Sequence, residues 1–310
     1  MKYINFLINI LLFIIFFVFF SCNRSTIHDS INMNWKLKDN SINGNINLYE
    51  GYNPDVPLRA WCVIIPSNNK IEILVSKDED GVDTPSRIAY KANASVVING
   101  GYFSKGQNPM RHIGLLKSND SLIEPASNSV FRENMRYYIN RGAFGILQDN
   151  VVDISWASTR NDSIFSWESP FENRPGKPAS INYTFSKFWN VKEALHAGPV
   201  LIFNGKIHVT SEQEVFFNTP VDGVQPRSAI GYNDSGDVIM MVVDGRQVDS
   251  RGAYLKELAM LMKQFDCLEA MNLDGGGSSS LVINGELVNK PIGLNIEREV
   301  MSFIAVISNN

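Results

Sequence analysis

Cysteine is scarce in this chain, with three among 310 residues. That is too few for a disulfide scaffold or for a zinc site built from several thiolates. An excess of positive charge is missing as well. Lys plus Arg number 28 against 32 for Asp plus Glu, a formal charge of −4. Without a basic excess or stripe, a nucleic-acid partner is not expected. The sequence also lacks an internal repeat of fixed period, a long linker and a Gly-Lys-Ser/Thr phosphate loop. No His/Asp cluster has metal-ligand spacing, so neither a metal nor an organic cofactor is expected. What remains is an ordinary globular composition, 44% hydrophobic, with enough apolar residues for a sizeable core.

One apolar run stands out. Ile4 to Phe20, broken only by Asn5 and Asn9, follows Lys2 and ends in Phe19-Phe20-Ser21-Cys22. A short basic start, an apolar stretch and a small residue before a cleavage point describe a secretory signal. The Cys directly after Ser21 makes residues 1–21 resemble a bacterial lipoprotein signal, with Cys22 as the lipidated N-terminus. The alternative is an uncleaved anchor, since the run nearly reaches the ~20 residues of a spanning helix. Both readings put the globular part outside the cytoplasm, in the periplasm or at the cell surface, with the membrane as a partner. Losing residues 1–21 removes Lys2 and leaves 27 positive charges against 32 negative, or −5. Residues 22–34 are polar and Ser/Asn-rich and read as a tether. Cys62, in an apolar strand, and Cys267, after a helix, read as buried structural residues, with a bridge between them left open.

Residues 35–310 read as a single α+β domain with a mixed, mostly antiparallel β-sheet core and a few helices. Asn204-Gly205 and Asn284-Gly285, each between short apolar runs, predict hairpins with type I′ turns. A looser hairpin joins Ser228–Tyr232 to Asp237–Val243, and Met301–Ile307 closes the chain as a strand. Helices are expected at Ala253–Phe265, Pro85–Ala92 and around Ser180–Trp189. Asn161–Pro178, rich in Ser, Glu, Asn and Pro, reads as a surface excursion.

The chemistry concentrates at strand ends. Leu273-Asp274-Gly275-Gly276-Gly277-Ser278-Ser279 follows a buried strand with a carboxylate and three glycines. Glycines let a backbone approach a ligand closely, and successive N–H groups can form an anion nest, with the serines as added donors. A plain tight turn would need fewer of them. Val243-Asp244-Gly245-Arg246 again delivers an Asp, then a cation; Ile98-Asn99-Gly100-Gly101-Tyr102-Phe103 delivers an amide backed by aromatics. Each is also an ordinary strand-end turn when taken singly. Together they suggest one pocket at a sheet edge. Arg227 and Arg246 suit a phosphate-bearing ligand. Asp244 and Asp274 suit the paired carboxylates of glycosidic cleavage.

In order, Asn99-Gly100-Gly101-Tyr102-Phe103, Ala197-Gly198-Pro199, Pro226-Arg227-Ser228, Asp244-Gly245-Arg246, Asp274 to Ser279, Asn289 and Glu297-Arg298 resemble the phosphodiester glycosidase family over roughly residues 60–308. The glycine–serine block carries most of the specificity. The resemblance implies a secreted or luminal hydrolase that cleaves the sugar-side C–O bond of a glycosyl 1-phosphodiester, releasing free sugar and a phosphomonoester. It brings Asn289 and Arg298 into the candidate substrate contacts. Gln225 stands where family members often have His, so any role for that histidine is absent. His196, ahead of Gly198-Pro199, joins the candidate contacts either as a compensating general acid or as an internally satisfied histidine. Asp274 or Asp244 is the expected base or nucleophile, with Arg227, Arg246 and the amides of Gly275, Gly276 and Gly277 holding the phosphate. A phosphodiesterase cutting the P–O bond and a non-catalytic phosphoglycan-binding lipoprotein are the rival readings.

The lipidated terminus has a direct test. Cys22→Ser should abolish acylation and move the protein from the membrane fraction to a soluble or unprocessed form. Unchanged membrane retention with an intact N-terminus would favour the uncleaved anchor.

Overall fold

The computed structural model describes residues 30–308 except 44 and 105, so the signal segment, Cys22 and most of the tether lie outside the described residues. Strand makes up 46% of the structure and helix 8%, which leaves sheets to form the framework. The largest sheet runs, in spatial order, Asn34–Ile42, Ile46–Asn53, Leu58–Ile65, Val238–Val243, Arg227–Asn233, Cys267–Asn272, Val200–Phe203 and Lys206–Ile207. A seven-stranded sheet is centred on Val152–Arg160, Arg141–Leu147 and Val191–His196. A five-stranded sheet places Ser302–Ile307 between Ala94–Asn99 and Lys70–Val75, with Leu281–Ile283 and Glu286–Leu287 beyond Ala94–Asn99. Two short ribbons, Phe103–Ser104 with Arg111–His112 and Ser129–Arg132 with Met135–Tyr138, complete the pairing.

Every named strand pair among the described residues is antiparallel, so the sheets are not mixed. Leu58–Ile65 with Val238–Val243 and Ser302–Ile307 with Lys70–Val75 pair antiparallel across long stretches of chain. For neighbours in sequence short hairpin turns enforce it, since a parallel pair needs a crossover of a dozen residues or more. Asn204 (φ 50°) with Gly205 (φ 70°), and Asn284 (φ 49°) with Gly285 (φ 84°), supply the left-handed pairs that such hairpins require.

The strand Val238–Val243 is buried along its whole length because both faces of its sheet are covered. Met240 and Val242 join Ile230 and Met271 in a core shared with Phe144, Ile154 and Trp156 of the second sheet and Ile73, Ile98 and Ile304 of the third. Ile239, Met241 and Val243 point the other way, toward Leu258, Ala259 and Met262 of a helix, Leu255–Lys263. That helix is the amphipathic one expected, and the Glu257 carboxylate accepts the Tyr254 N–H at its start (2.9 Å). Pro85–Ala92 is the other α-helix among the described residues, begun by Thr84 as N-cap and ended by Asn93 in the left-handed conformation (φ 51°).

The third expected helix, around Ser180–Trp189, is absent. Asn182 accepts the Thr184 N–H in a local turn (2.9 Å), and Lys187–Phe188 is an edge strand. Phe165 meets Tyr183 and Phe188 edge-on, so these aromatics pack against a sheet and not along a helix stripe. Asn161–Pro178 likewise contains a strand, Ser163–Trp167, and buries Trp167 and Phe171. Cys62 and Cys267 are free and fully buried, and burial pushes the Cys267 thiol up to about 12.

Burial also raises the Glu269 carboxyl to about 7, opposed by a hydrogen bond from Tyr232 and reinforced by the Asp153 charge. A carboxyl raised on folding favours its protonated form, so its stabilisation is complete below the unfolded value of ~4.3 and is lost as pH rises through about 7. Melting temperatures should therefore fall by several degrees between acidic and neutral pH. Glu269→Gln, neutral at all pH, should flatten that slope; an unchanged slope in thermal melts would remove Glu269 as its source.

Candidate active site

The registers of the large sheet gather the chemistry at one end. Arg227 pairs with Val243 and Ala229 with Asn272, so the start of one strand meets the ends of its two neighbours. Arg227, Asp244, Asp274 and, beside Met271, the Gly198-Pro199-Val200 turn all emerge there. Asn99 brings in the five-stranded sheet. It is fully buried, its Oδ1 accepts from Ser228 Oγ (2.6 Å) and Ser280 N (3.1 Å), and its Nδ2 donates to the Asp274 carbonyl (2.8 Å).

A cavity of about 200 Å³ opens at this junction. Tyr102, Arg227, Arg246, Asp274, Gly275–Gly277 and Arg298 line it, with Gln225 and the Pro220-Val221 turn closing one side. Each guanidinium is fixed by neutral groups. Arg227, almost wholly buried, donates to the carbonyls of Ala253 (2.9 Å), Val221 (2.8 Å) and Gly223. Burial lowers its pKa to about 10, so it keeps its proton at neutral pH. Arg246 donates to Gln225 Oε1 (2.6 Å) and Arg298 to Ser278 Oγ (3.4 Å). Positive charge held by neutral partners in a partly dry cleft is a site for an anion.

Two glycines earn their place by geometry. Gly276 is left-handed (φ 65°), and a Cβ on Gly277 would sit 2.5 Å from Arg298 Nη2. The proposed amide nest, however, is largely spent inside the protein. The Gly275 N–H goes to Asp274 Oδ1 (2.9 Å) and the Gly276 N–H to the Pro226 carbonyl (2.9 Å), so the arginines and not the loop amides present the positive charge.

The remaining candidates stand behind the wall. Gly100 and Gly101 donate to Ser302 O (2.7 Å) and Ser302 Oγ (3.1 Å), and a Cβ on Gly101 would meet the His196 carbonyl at 2.1 Å, so they serve close packing. His196 is buried with Nε2 3.2 Å from the Ala157 carbonyl, and burial lowers its pKa to about 3, which is the internally satisfied histidine. Ser279 is fully buried behind Ser278. Asp244 faces a different cavity, of about 520 Å³, beyond the Asp244–Arg251 loop. Its carboxylate accepts from Asn289 Nδ2 (3.0 Å) and the Lys290 N–H (3.0 Å), and burial raises it to about 6. Asn289 also donates to the Ser279 carbonyl (2.9 Å), so Asp244 supports the glycine–serine loop from outside. The structure thus does not bring Asn99, Asp244 and Asp274 into one cavity. Asp274 alone lines it.

One contributor, Asn272, was not singled out from sequence, whereas Tyr102 and Glu297 stood in the quoted motifs. Asn272 Nδ2 donates to Tyr102 Oη (2.9 Å) and the Gly198 carbonyl (3.0 Å), and Tyr102 donates to the same carbonyl (2.9 Å). Strand alternation held the signal, since Asn272 and Asp274 are two residues apart. Burial first, then the Asp274 charge, pushes the Tyr102 phenol far above its usual value, so it stays a neutral donor. Glu297 accepts from Ser86 N (2.9 Å) and Ser86 Oγ at the start of the Pro85–Ala92 helix, which anchors the segment carrying Arg298.

With this geometry established, known proteins give a consistent comparison. A family model for phosphodiester glycosidases matches residues 92–307. The N-acetylglucosamine-1-phosphodiester alpha-N-acetylglucosaminidase of Bos taurus is 36% identical over 244 residues, which cover 76% of this chain and 39% of the bovine protein. The human protein of that name is 25% identical over 67% of this chain and 35% of its own length. The chain therefore spans less than two-fifths of these relatives. The zebrafish enzyme's catalytic domain, auto-inhibited by its pro-peptide, shares the fold with a TM-score of 0.61 at 19% identity, covering 90% of this chain and 89% of that one. A hypothetical protein from Synechocystis also scores 0.61, at 16% identity, covering 91% of this chain and 64% of that one. By sequence, over more than half its length, the chain belongs to the phosphodiester glycosidase family.

Proposed function

We propose that this protein hydrolyses a glycosyl 1-phosphodiester, of which N-acetylglucosamine 1-phosphodiester is the first candidate, outside the cytoplasm and tethered through Cys22. The observation that carries the reading is the pairing in one small cavity of a single carboxylate, Asp274, with the guanidiniums of Arg227, Arg246 and Arg298. The three cations take the phosphodiester oxygens, and Asp274 faces the sugar carbon. Asp274 either attacks that carbon or takes a proton from the attacking water. The C–O bond then breaks through an oxocarbenium-like transition state, its electron pair leaves on the phosphate, and water's oxygen ends on the sugar. A phosphomonoester is already a good leaving group, so one wall carboxylate suffices where ordinary glycosidases need a second as general acid. The arginines bind more tightly as negative charge grows on the departing phosphate, which lowers the barrier.

Product analysis on N-acetylglucosamine 1-(methyl phosphate) tests the bond. Free sugar and methyl phosphate are expected; sugar 1-phosphate would mean P–O cleavage, and no product would mean binding alone. Asp274→Asn keeps the size of the side chain and removes its charge. Its kcat should fall roughly 10²–10⁴-fold with KM little changed, as for a group needed in the transition state. Near-full activity in the folded variant would remove Asp274 from the reaction.

A further inference from the structure

The reaction leaves two arginines on the far side of the cavity wall unused. Arg132 ends the strand Ser129–Arg132, and Arg141 opens the strand Arg141–Leu147. In both, the Nε–H is buried and has no hydrogen-bond partner among the described residues. A buried N–H without an acceptor is costly, and such groups are rare enough to need a reason.

No neighbouring carboxylate supplies it. Glu214 is the acid whose charge acts on Arg141, but its two oxygens already accept from Gly142 N (2.9 Å), Val200 N (2.8 Å), Trp156 Nε1 (3.0 Å) and Thr210 Oγ1 (2.6 Å). Glu133, next to Arg132, accepts from Asn218. Burial lowers the Arg141 pKa, and the like charge of Arg132 adds to that lowering. Two cations beside one loop, each with an idle buried donor, call for an anion.

Their place ties them to the active site. The Arg141 guanidinium carbon lies 4.3 Å above the Phe216 ring, and that ring lies 5.7 Å from the ring of Tyr102 in the cavity wall. The Glu133–Asn218 bond draws the Arg132 hairpin to the same loop, whose Pro220 and Val221 also face the cavity. One loop, from Phe216 to Val221, thus touches the cavity wall, Arg141 and the hairpin that carries Arg132.

We propose that Arg132 and Arg141 form a second anion site, which holds a phosphate or carboxylate group carried by the substrate beyond its scissile phosphodiester. The preferred substrates are then polyanionic glycans or their fragments, held at two charged points. This rests on the hydrolase reading above, and the test separates the two.

Two compounds are compared: N-acetylglucosamine 1-(methyl phosphate), and the N-acetylglucosamine 1-phosphodiester of glycerol phosphate, which carries a terminal phosphomonoester. The second should show a KM about tenfold lower at a similar kcat, the worth of one charge-assisted hydrogen-bonded contact. Arg132→Gln and Arg141→Gln should each erase that advantage and leave the methyl phosphate compound's kinetics unchanged. Arg132→Gln carries the test alone if loss of the Arg141 stack on Phe216 unfolds the second variant, as thermal melting would reveal. Equal KM values in the parent protein, or an advantage that survives Arg132→Gln, overturn the proposal. If neither compound is hydrolysed, the reaction assignment fails, and calorimetric Kd values for the same pair still decide the second site. Inorganic phosphate should compete only against the phosphate-bearing compound; phosphate bound at these arginines without any tethered advantage means a free-ion site and also overturns the proposal.

Discussion

The Asn99 side chain is the interaction on which the candidate site depends. It is one amide, fully buried, serving three partners from separate parts of the chain: Ser228 of the eight-stranded sheet, Ser280 after the glycine block and the carbonyl of Asp274 itself. Two sheets joined only by a shared apolar core could slide against each other, since apolar contact is non-directional. A buried amide cannot slide, because each misplaced donor or acceptor loses its partner and its water together. The register between the sheets is therefore set at the place where the carboxylate of Asp274 must face Arg227, Arg246 and Arg298. The next layer repeats the device. Asn272 holds Tyr102 to the Gly198 carbonyl, and Asn289 joins Asp244 to the Ser279 carbonyl.

This explains which parts of the molecule were legible in the sequence. The Asn-Gly hairpins, the helices at Pro85–Ala92 and Leu255–Lys263, and the buried strands follow local rules of φ sign, capping and hydrophobic period. The helix expected near Ser180–Trp189 failed because aromatic contacts with the Ser163–Trp167 strand are tertiary and leave no helical or strand period in ten residues. Strand-end polarity pointed to the end of the sheet where the Asp274 cavity lies. It could not say which polar side chains turn inward, since an Asn that ties sheets and an Asn that binds sugar look alike in sequence. Asn99, Asp244 and Asn289 are of the first kind; Asp274 and the arginines line the cavity.

The charges divide in the same way. In the wide groove near Trp35, Glu50 and Asp249 neutralise Arg59 at 2.8 and 3.0 Å, so its size of about 950 Å³ brings little unspent charge. The 200 Å³ cavity is smaller, and its cations lean on carbonyls, an amide and a hydroxyl. The character of the charge, and not volume, sets where an anion would gain most by leaving water.

The strand Ser302–Ile307 has a consequence for the order in which the protein assembles. It sits between Ala94–Asn99 and Lys70–Val75, two strands made some two hundred residues earlier, and its first residue, Ser302, receives the N–H groups of Gly100 and Gly101. The early strands have no partner on that flank until this late one inserts between them. The turn that accepts the Asp274 N–H through the Gly100 carbonyl then gains its support. Pairings so distant in sequence form slowly, because the loop must close before the contacts reward it. A nascent chain thus holds its arginines, its carboxylate and its amide struts on unjoined pieces until the Ser302–Ile307 strand is in place.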